Sequence, residues 1–365
     1  MPSDMQTLPR RLAALLDGLR AEPPLVHNIT NWVAMDLSAN LLLAAGASPA
    51  MVHAESEVEE FVTLAGALVV NIGTFDEHWT RPALAAAEAA RSRGVPWVLD
   101  PVAVGVTGFR TRNACDLALL GPDCIRANAS EVLALAAALE TKTGTTKTAP
   151  SLSSSSPSST ETETITAAPS LSSSSLSSSP LSTETETKTA PSLSSPPPSP
   201  SPSLTTTETI TAAPSSSPSI ETARGVDSVA GTNSATHAAR KLARHTNSVV
   251  LLTGADDFAA DKHTLIRIRG GDPLLARVTA TGCALSAATA ALLAAAKHTD
   301  TPQLTAVTAA SLLFAAAAEH AARNANGPGS FRTAFIDAIA DIASDTTEQN
   351  PVITMSKTRV EVVNK

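Results

Sequence analysis

The sequence predicts an α/β protein, a three-layer α/β/α sandwich around a mostly parallel central sheet. Three observations carry that expectation. Short Val/Leu/Ile runs alternate with long Ala-rich stretches, the pattern of βα units whose strands are buried on both faces. The composition is 43% hydrophobic, and its alanines suit helices that pack closely on a sheet. Strand-like runs pass through short polar turns straight into helical stretches, so polar side chains collect at the carboxyl ends of the strands, where such sheets place their ligands.

The elements follow in order. Leu8, Leu12, Leu15 and Leu19 form one face of an amphipathic first helix. Arg10 and Arg11 precede the apolar run 12–16, which is too short for a signal peptide or a membrane span. The clearest buried strands are residues 67–72, 97–99, 124–127 and 248–252. Helices are predicted over 81–93, 130–138, 235–245, 283–296 and 305–322. Between Thr141 and Thr222 the chain collapses into Ser, Thr, Pro and Glu-Thr repeats, with too few large apolar residues to offset the entropy of ordering. Residues 141–222 therefore read as a disordered insertion in one domain built from 1–140 and 223–365. Roughly 280 of the 365 residues remain, ample for one buried core.

Composition also narrows the partners. Aromatic residues make up 3%, tyrosine is absent and the net charge is -8, which argues against nucleic acid or an anionic membrane surface and for a small molecule. Cys115, Cys124 and Cys283 lack metal-type spacing and are odd in number, so a reducing cytoplasm is the expected setting. The sequons at Asn28 and Asn128 are chance matches in a chain without a secretory signal. The eight histidines form no HExxH pattern, and no Gly-x-Ser-x-Gly elbow occurs in the globular segments.

Four junctions carry candidate chemistry. Val278-Thr279-Ala280-Thr281-Gly282-Cys283 opens the helical run 284–296, and such a turn offers free N–H groups and a positive dipole end to a phosphoryl oxyanion. Gly282 allows close backbone approach, and Cys283 lies in the first turn, where a thiolate is favoured. Thr281 as a plain N-cap above a structural cysteine accounts for the same residues. Leu99-Asp100-Pro101-Val102 places a carboxylate at a strand end, followed by a flexible segment 105–110; Asp100 can reach a metal or simply start a turn. In Ile125-Arg126-Ala127-Asn128-Ala129-Ser130-Glu131, Arg126 can meet phosphate and Glu131 magnesium, or Asn128 and Glu131 can form a capping box. Leu252-Thr253-Gly254 offers a hydroxyl or an N–H to a nucleotide, or is only a turn.

In this order the motifs resemble the hydroxyethylthiazole kinases of the ribokinase-like superfamily. The match includes Pro24-Leu25-Val26-His27-Asn28-Ile29-Thr30-Asn31, Gly46-Ala47-Ser48-Pro49-Ala50-Met51, Asn71-Ile72-Gly73-Thr74 and the junctions above, and it resumes after the insertion at Gly225-Val226-Asp227-Ser228. The resemblance implies ATP-dependent phosphorylation of the thiazole's side-chain hydroxyl in thiamine biosynthesis or salvage. It places Asn28, Met51 and Ala280 at the thiazole, Arg126, Thr253 and Gly282 at ATP, and Asp100 and Glu131 at Mg2+. Cys283 falls where most of the superfamily carries an aspartate, and becomes a catalytic residue that helps remove the hydroxyl proton once the helix terminus lowers its pKa. A homotrimer with sites between subunits is also implied. The family pattern has glycine where this chain has Ala280, and glycine before Asn128 where it has Ala127. Two other readings stand beside this one: a hydroxymethylpyrimidine or pyridoxal kinase, which more often has Asp in place of Cys283, and a non-catalytic surface protein with a glycosylated Ser/Thr-rich stalk.

Overall fold

The computed structural model describes residues 2–147 and 229–363, so most of the predicted insertion lies outside the described residues. Helix α1 (Pro2–Ala21) leads into β1 (Leu25–Ile29), α2 (Met35–Ala45), β2 (Ser48–Ala50), α3 (Val58–Leu64), β3 (Ala67–Asn71) and α4 (Glu77–Arg93). Next come β4 (Trp97–Asp100), α5 (Gly108–Leu119), β5 (Cys124–Asn128) and α6 (Ala129–Lys147). The chain resumes with α7 (Val229–Thr246), β6 (Val249–Thr253), β7 (Asp257–Ala260), β8 (Leu265–Ile268) and α8 (Thr281–His298). It closes with α9 (Gln303–Ala322), α10 (Pro328–Ser344), α11 (Pro351–Thr358) and β9 (Val360–Val362).

The strands form one sheet in the order β2-β1-β3-β4-β5-β6-β7-β8-β9. Pairing is parallel from β2 through β6 and antiparallel from β6 through β9. The mostly parallel sandwich is thus found, with an antiparallel edge that short runs such as 257–260 did not announce. Alternate strand residues serve opposite faces. Val26, Val69, Val98 and Leu251 pack with α1, α2 and α8 to α11, whereas Leu68, Val70, Leu99, Ile125 and Val250 pack with α3 to α7. The predicted stripe Leu8, Leu12, Leu15 and Leu19 is buried on the first of these faces. Helix α9 is apolar and long enough to cross a membrane, but 83% of that window is buried inside the domain, as its packing between α8 and α10 requires.

Three local expectations need correction. Helix α4 begins at Glu77 rather than at Arg81, because the Asp76 side chain accepts the Trp79 N–H at 3.1 Å and caps it, while Pro82 costs only one early hydrogen bond. Segment 105–110 is partly helical: the Thr107 hydroxyl accepts the Arg110 N–H at 3.2 Å and starts α5 at Gly108. Helix α6 continues past Thr141 to Lys147, so the insertion begins later than its composition suggests.

Strands β5 and β6 flank the insertion in sequence yet are neighbours in register, with Arg126 opposite Leu251 and Asn128 opposite Thr253. The described residues 2–147 and 229–363 accordingly belong to a single compact unit. Register brings Arg126 and Thr253 to the same end of the sheet.

Candidate active site

The site is built at the carboxyl ends of the parallel strands. Asn71 and Asp100 end β3 and β4 in register, and both are fully buried. Asn71 Nδ2 donates to Asp100 Oδ2 at 2.7 Å, and the Ser286 hydroxyl from α8 donates to the same oxygen at 2.8 Å. Asn71 Oδ1 accepts from Asn31 Nδ2 at 2.8 Å, and Asn31 Nδ2 also lies 3.4 Å from Cys283 Sγ. One polar chain therefore links the β1 loop, β3, β4 and the start of α8. Asp100 Oδ1 is buried without a hydrogen-bond partner, 3.7 Å from the Arg126 guanidinium. Burial raises the Asp100 pKa to about 6, against the lowering pull of Arg126.

Ala280, not Thr281, is the N-cap of α8, with φ 66 and ψ 7. Thr281 is the first residue inside the helix, and its hydroxyl donates back to the Leu275 carbonyl at 2.9 Å. The first intrahelical bond runs from Ala284 N–H to Ala280 O, so the amides of Thr281, Gly282 and Cys283 precede it and form the expected anion-facing turn. A left-handed backbone costs a non-glycine residue about 1–2 kcal/mol, whereas glycine returns ~0.4–1 kcal/mol through a freer unfolded chain. Ala280→Gly is therefore expected to stabilise the protein by ~0.5–1 kcal/mol, read as a higher urea midpoint at unchanged m-value.

Arg126 is nearly buried and is held from three sides. Its Nη2 donates to the Thr253 hydroxyl at 2.8 Å, its Nη1 faces Asp100, and its guanidinium lies over Gly282, where a Cβ would approach within 2.6 Å. Burial opposes its charge, but Asp100 and Glu131 outweigh that and hold it cationic. Beside it opens a cavity of about 390 Å³ between the β6–β7 turn, α8 and α9, lined among others by Arg126, Thr253, Gly282, Asp257, Ser311 and Phe314.

Glu131 takes the capping place of the second sequence reading. Its Oε2 accepts Asn128 N–H at 3.0 Å while Asn128 Oδ1 accepts Glu131 N–H at 3.0 Å, a reciprocal capping box. Its Oε1 accepts Ala103 N–H at 2.9 Å, which ties the β4 loop to α6. Asn28 is fully buried and donates to the Val26 and Ala50 carbonyls, so it fixes the end of β2 rather than facing solvent. Met51 follows directly, half-buried, on a loop whose His53 ring bonds the Thr30 backbone and clusters with Trp32 and Trp79, which also touch each other.

Cys283 departs from expectation. Burial, with Asp100 adding to it, pushes its thiol up to about 11, because desolvation and a neighbouring carboxylate outweigh the helix terminus. The group is a neutral thiol near pH 7.

Asn31, Asn71, Ser286 and Asp257 escaped assignment. Asn31 and Asn71 lay within matched motifs, and a polar amide closing an otherwise apolar strand was the available signal. Ser286, four residues past Gly282 and facing the same way along the helix, carried only that spacing. Asp257 accepts Gly254 N–H at 3.1 Å and the Ser311 hydroxyl at 2.7 Å, and only the fold brings these groups together.

A parallel sheet ending in a buried acid, a basic fork and a helix turn that can hold an oxyanion defines a ribokinase-like phosphotransferase. The comparisons agree. The profile of the Hydroxyethylthiazole kinase family matches residues 16–156 and 216–345. A hydroxyethylthiazole kinase of Rhizobium rhizogenes is 37% identical over 327 residues, covering 90% of this chain and 91% of the relative. One from Cereibacter sphaeroides is 36% identical over 330 residues, covering 90% and 93%. The solved structure of a hydroxyethylthiazole kinase protein from Pyrococcus horikoshii OT3 superposes with a TM-score of 0.66 at 30% identity, covering 97% of this chain and all of that one. The chain belongs to the hydroxyethylthiazole kinase family.

Proposed function

We propose that this protein transfers the γ-phosphoryl group of ATP to the side-chain hydroxyl of hydroxyethylthiazole, in thiamine biosynthesis or salvage. The observation that carries the reading is the convergence of Arg126 and the open first turn of α8 on one cavity, with the buried Asp100 carboxylate 3.7 Å from the arginine. Arg126 and Thr253 bind the nucleotide phosphates, and the amides at Gly282 and Cys283 hold the transferring oxygens as their charge grows. Ala280 and Met51 border the thiazole, with Asn28 fixing the strand that presents Met51. Cys283 stands at the attacking hydroxyl and orients it as a neutral thiol; a loose transition state asks little of a base.

Asp100 and Glu131 would hold Mg2+, and the orphaned, buried Asp100 Oδ1 supports that fit. Magnesium ordinarily takes one or two carboxylates together with substrate phosphates, so a fuller cage is not required. When bound it supplies charge neutralisation. The resemblance supports a homotrimer and the cysteine pattern a reducing cytoplasm, and the exposed Trp32 and Val33 close to the Met51 loop suit contact with a second copy of this chain.

The insertion lies between the ends of α6 and α7, away from every residue named above in sequence, and we assign it no part in the reaction. An ADP-release assay on the full chain, with hydroxyethylthiazole, hydroxymethylpyrimidine and pyridoxal in parallel, tests the function. Turnover of the thiazole alone is expected, and preference for either other alcohol overturns the reading. The same preference should persist when residues 148–228 are replaced by a short Gly/Ser linker.

A further inference from the structure

Arg110, near the start of α5, directs both terminal nitrogens of its guanidinium at backbone carbonyls of the site. Its Nη1 donates to Ile72 O and, at 3.3 Å, to Val102 O, and its Nη2 donates to Gly73 O at 2.7 Å. Ile72 and Gly73 directly follow Asn71, and Val102 lies two residues beyond Asp100. The same two loops are joined from the other side by the Asn71 to Asp100 hydrogen bond, and Asn71 Oδ1 additionally accepts Gly73 N–H at 2.9 Å. Gly73 is thus gripped by its N–H and its C=O at once. Segment 105–108 is exposed and contributes little packing of its own.

We propose that Arg110 is a positioning residue for phosphoryl transfer: by clamping the β3 and β4 loops together it fixes Asn71 and Asp100, and through Asn31 it fixes Cys283. The proposal rests on the kinase reading above. A planar fork with several donors can serve three carbonyls on two loops, whereas a lysine ammonium has no such fixed geometry. The cap on α5 comes from Thr107, so the helix does not depend on this side chain.

The test uses the full chain with Arg110→Lys and Arg110→Ala beside the wild type. Displacing reacting groups by a fraction of an ångström to one ångström costs on the order of 10–100-fold in rate. Both variants should lose that much kcat with the thiazole KM changed less than about threefold, and added methylguanidinium should restore kcat of the alanine variant. A second readout is independent of turnover. Alkylation of Cys283 by iodoacetamide, followed on its peptide, should speed up severalfold in both variants, because Asn31 no longer holds the thiol in place. Wild-type kcat in Arg110→Lys, a kcat loss that vanishes when assays are run well below the variant's melting temperature, or an unchanged alkylation rate overturns the proposal. A wild type that leaves the thiazole unphosphorylated rejects the function instead, and the alkylation rates then decide the role of Arg110.

Discussion

Arg126→Met is expected to lower kcat/KM by about a thousandfold, equivalent to about 4 kcal/mol of lost transition-state stabilisation. Methionine roughly keeps the volume and removes the fork that Thr253 and Asp100 share. The KM for ATP should rise along with the fall in kcat, since the same cation meets the ground-state phosphates. Stability should respond according to pH. The Asp100 pKa of about 6 includes the lowering pull of Arg126, so in the variant it rises further; the lost counter-charge costs about 3 kcal/mol at pH 8 and little at pH 5, where the carboxyl is largely protonated with or without the arginine. Urea unfolding of the metal-free protein at pH 5 and pH 8 checks this, and equal losses at both would remove Asp100 as the partner.

Asp100→Asn should separate activity from stability. Turnover is expected to drop by on the order of a thousandfold, because a hard anionic oxygen becomes an amide at the metal position. Folding should move the other way. A carboxyl whose pKa rises from 3.8 to about 6 on burial loses about 3 kcal/mol of folding stability once fully ionised. This penalty is absent below the unfolded value near pH 4, grows as pH rises, and is complete above about 6. Asn71 and Ser286 can still donate to the remaining oxygen of the amide, whereas its Nδ2 would face Arg126, so the net gain should be roughly 1–2 kcal/mol near pH 8. Melting curves from pH 4 to 8 without nucleotide or metal would show the variant's advantage opening between 4 and 6; a variant less stable than the wild type throughout contradicts this account.

The strands and helices that buried themselves strongly were legible from periodicity alone. Residues 67–72 and 124–127 are largely apolar runs that become β3 and β5, and the leucine stripe of α1 lies where its spacing puts it. Short edge strands were not, since β2 has three residues and is only partly buried, and β7 and β8 pair antiparallel through contacts that no local pattern encodes. Within the site, Asp100, Arg126 and Gly282 could be named because each interrupts an apolar or helical pattern at a strand or helix end. Their mutual geometry could not. The Cys283 thiol shows why: sequence displays the helix terminus that lowers its pKa, but not the burial and the Asp100 carboxylate from β4 that raise it. Arg110 was passed over for a related reason, because its partners are main-chain carbonyls and carry no residue identity.

The contact between Gly282 and Arg126 bears on how such a sequence can change over generations. A Cβ at 282 would lie 2.6 Å from both terminal guanidinium nitrogens, so no side chain can be accepted there while the arginine keeps its place. The dependence runs one way. A lineage that lost Arg126 would free position 282 to drift, whereas one that first gained a side chain at 282 would push out the arginine and lose its hold on Thr253. The two positions therefore behave as a ratchet: within a lineage under selection for activity, both stay fixed, and where the activity has been abandoned Gly282 should vary openly only after Arg126 has gone.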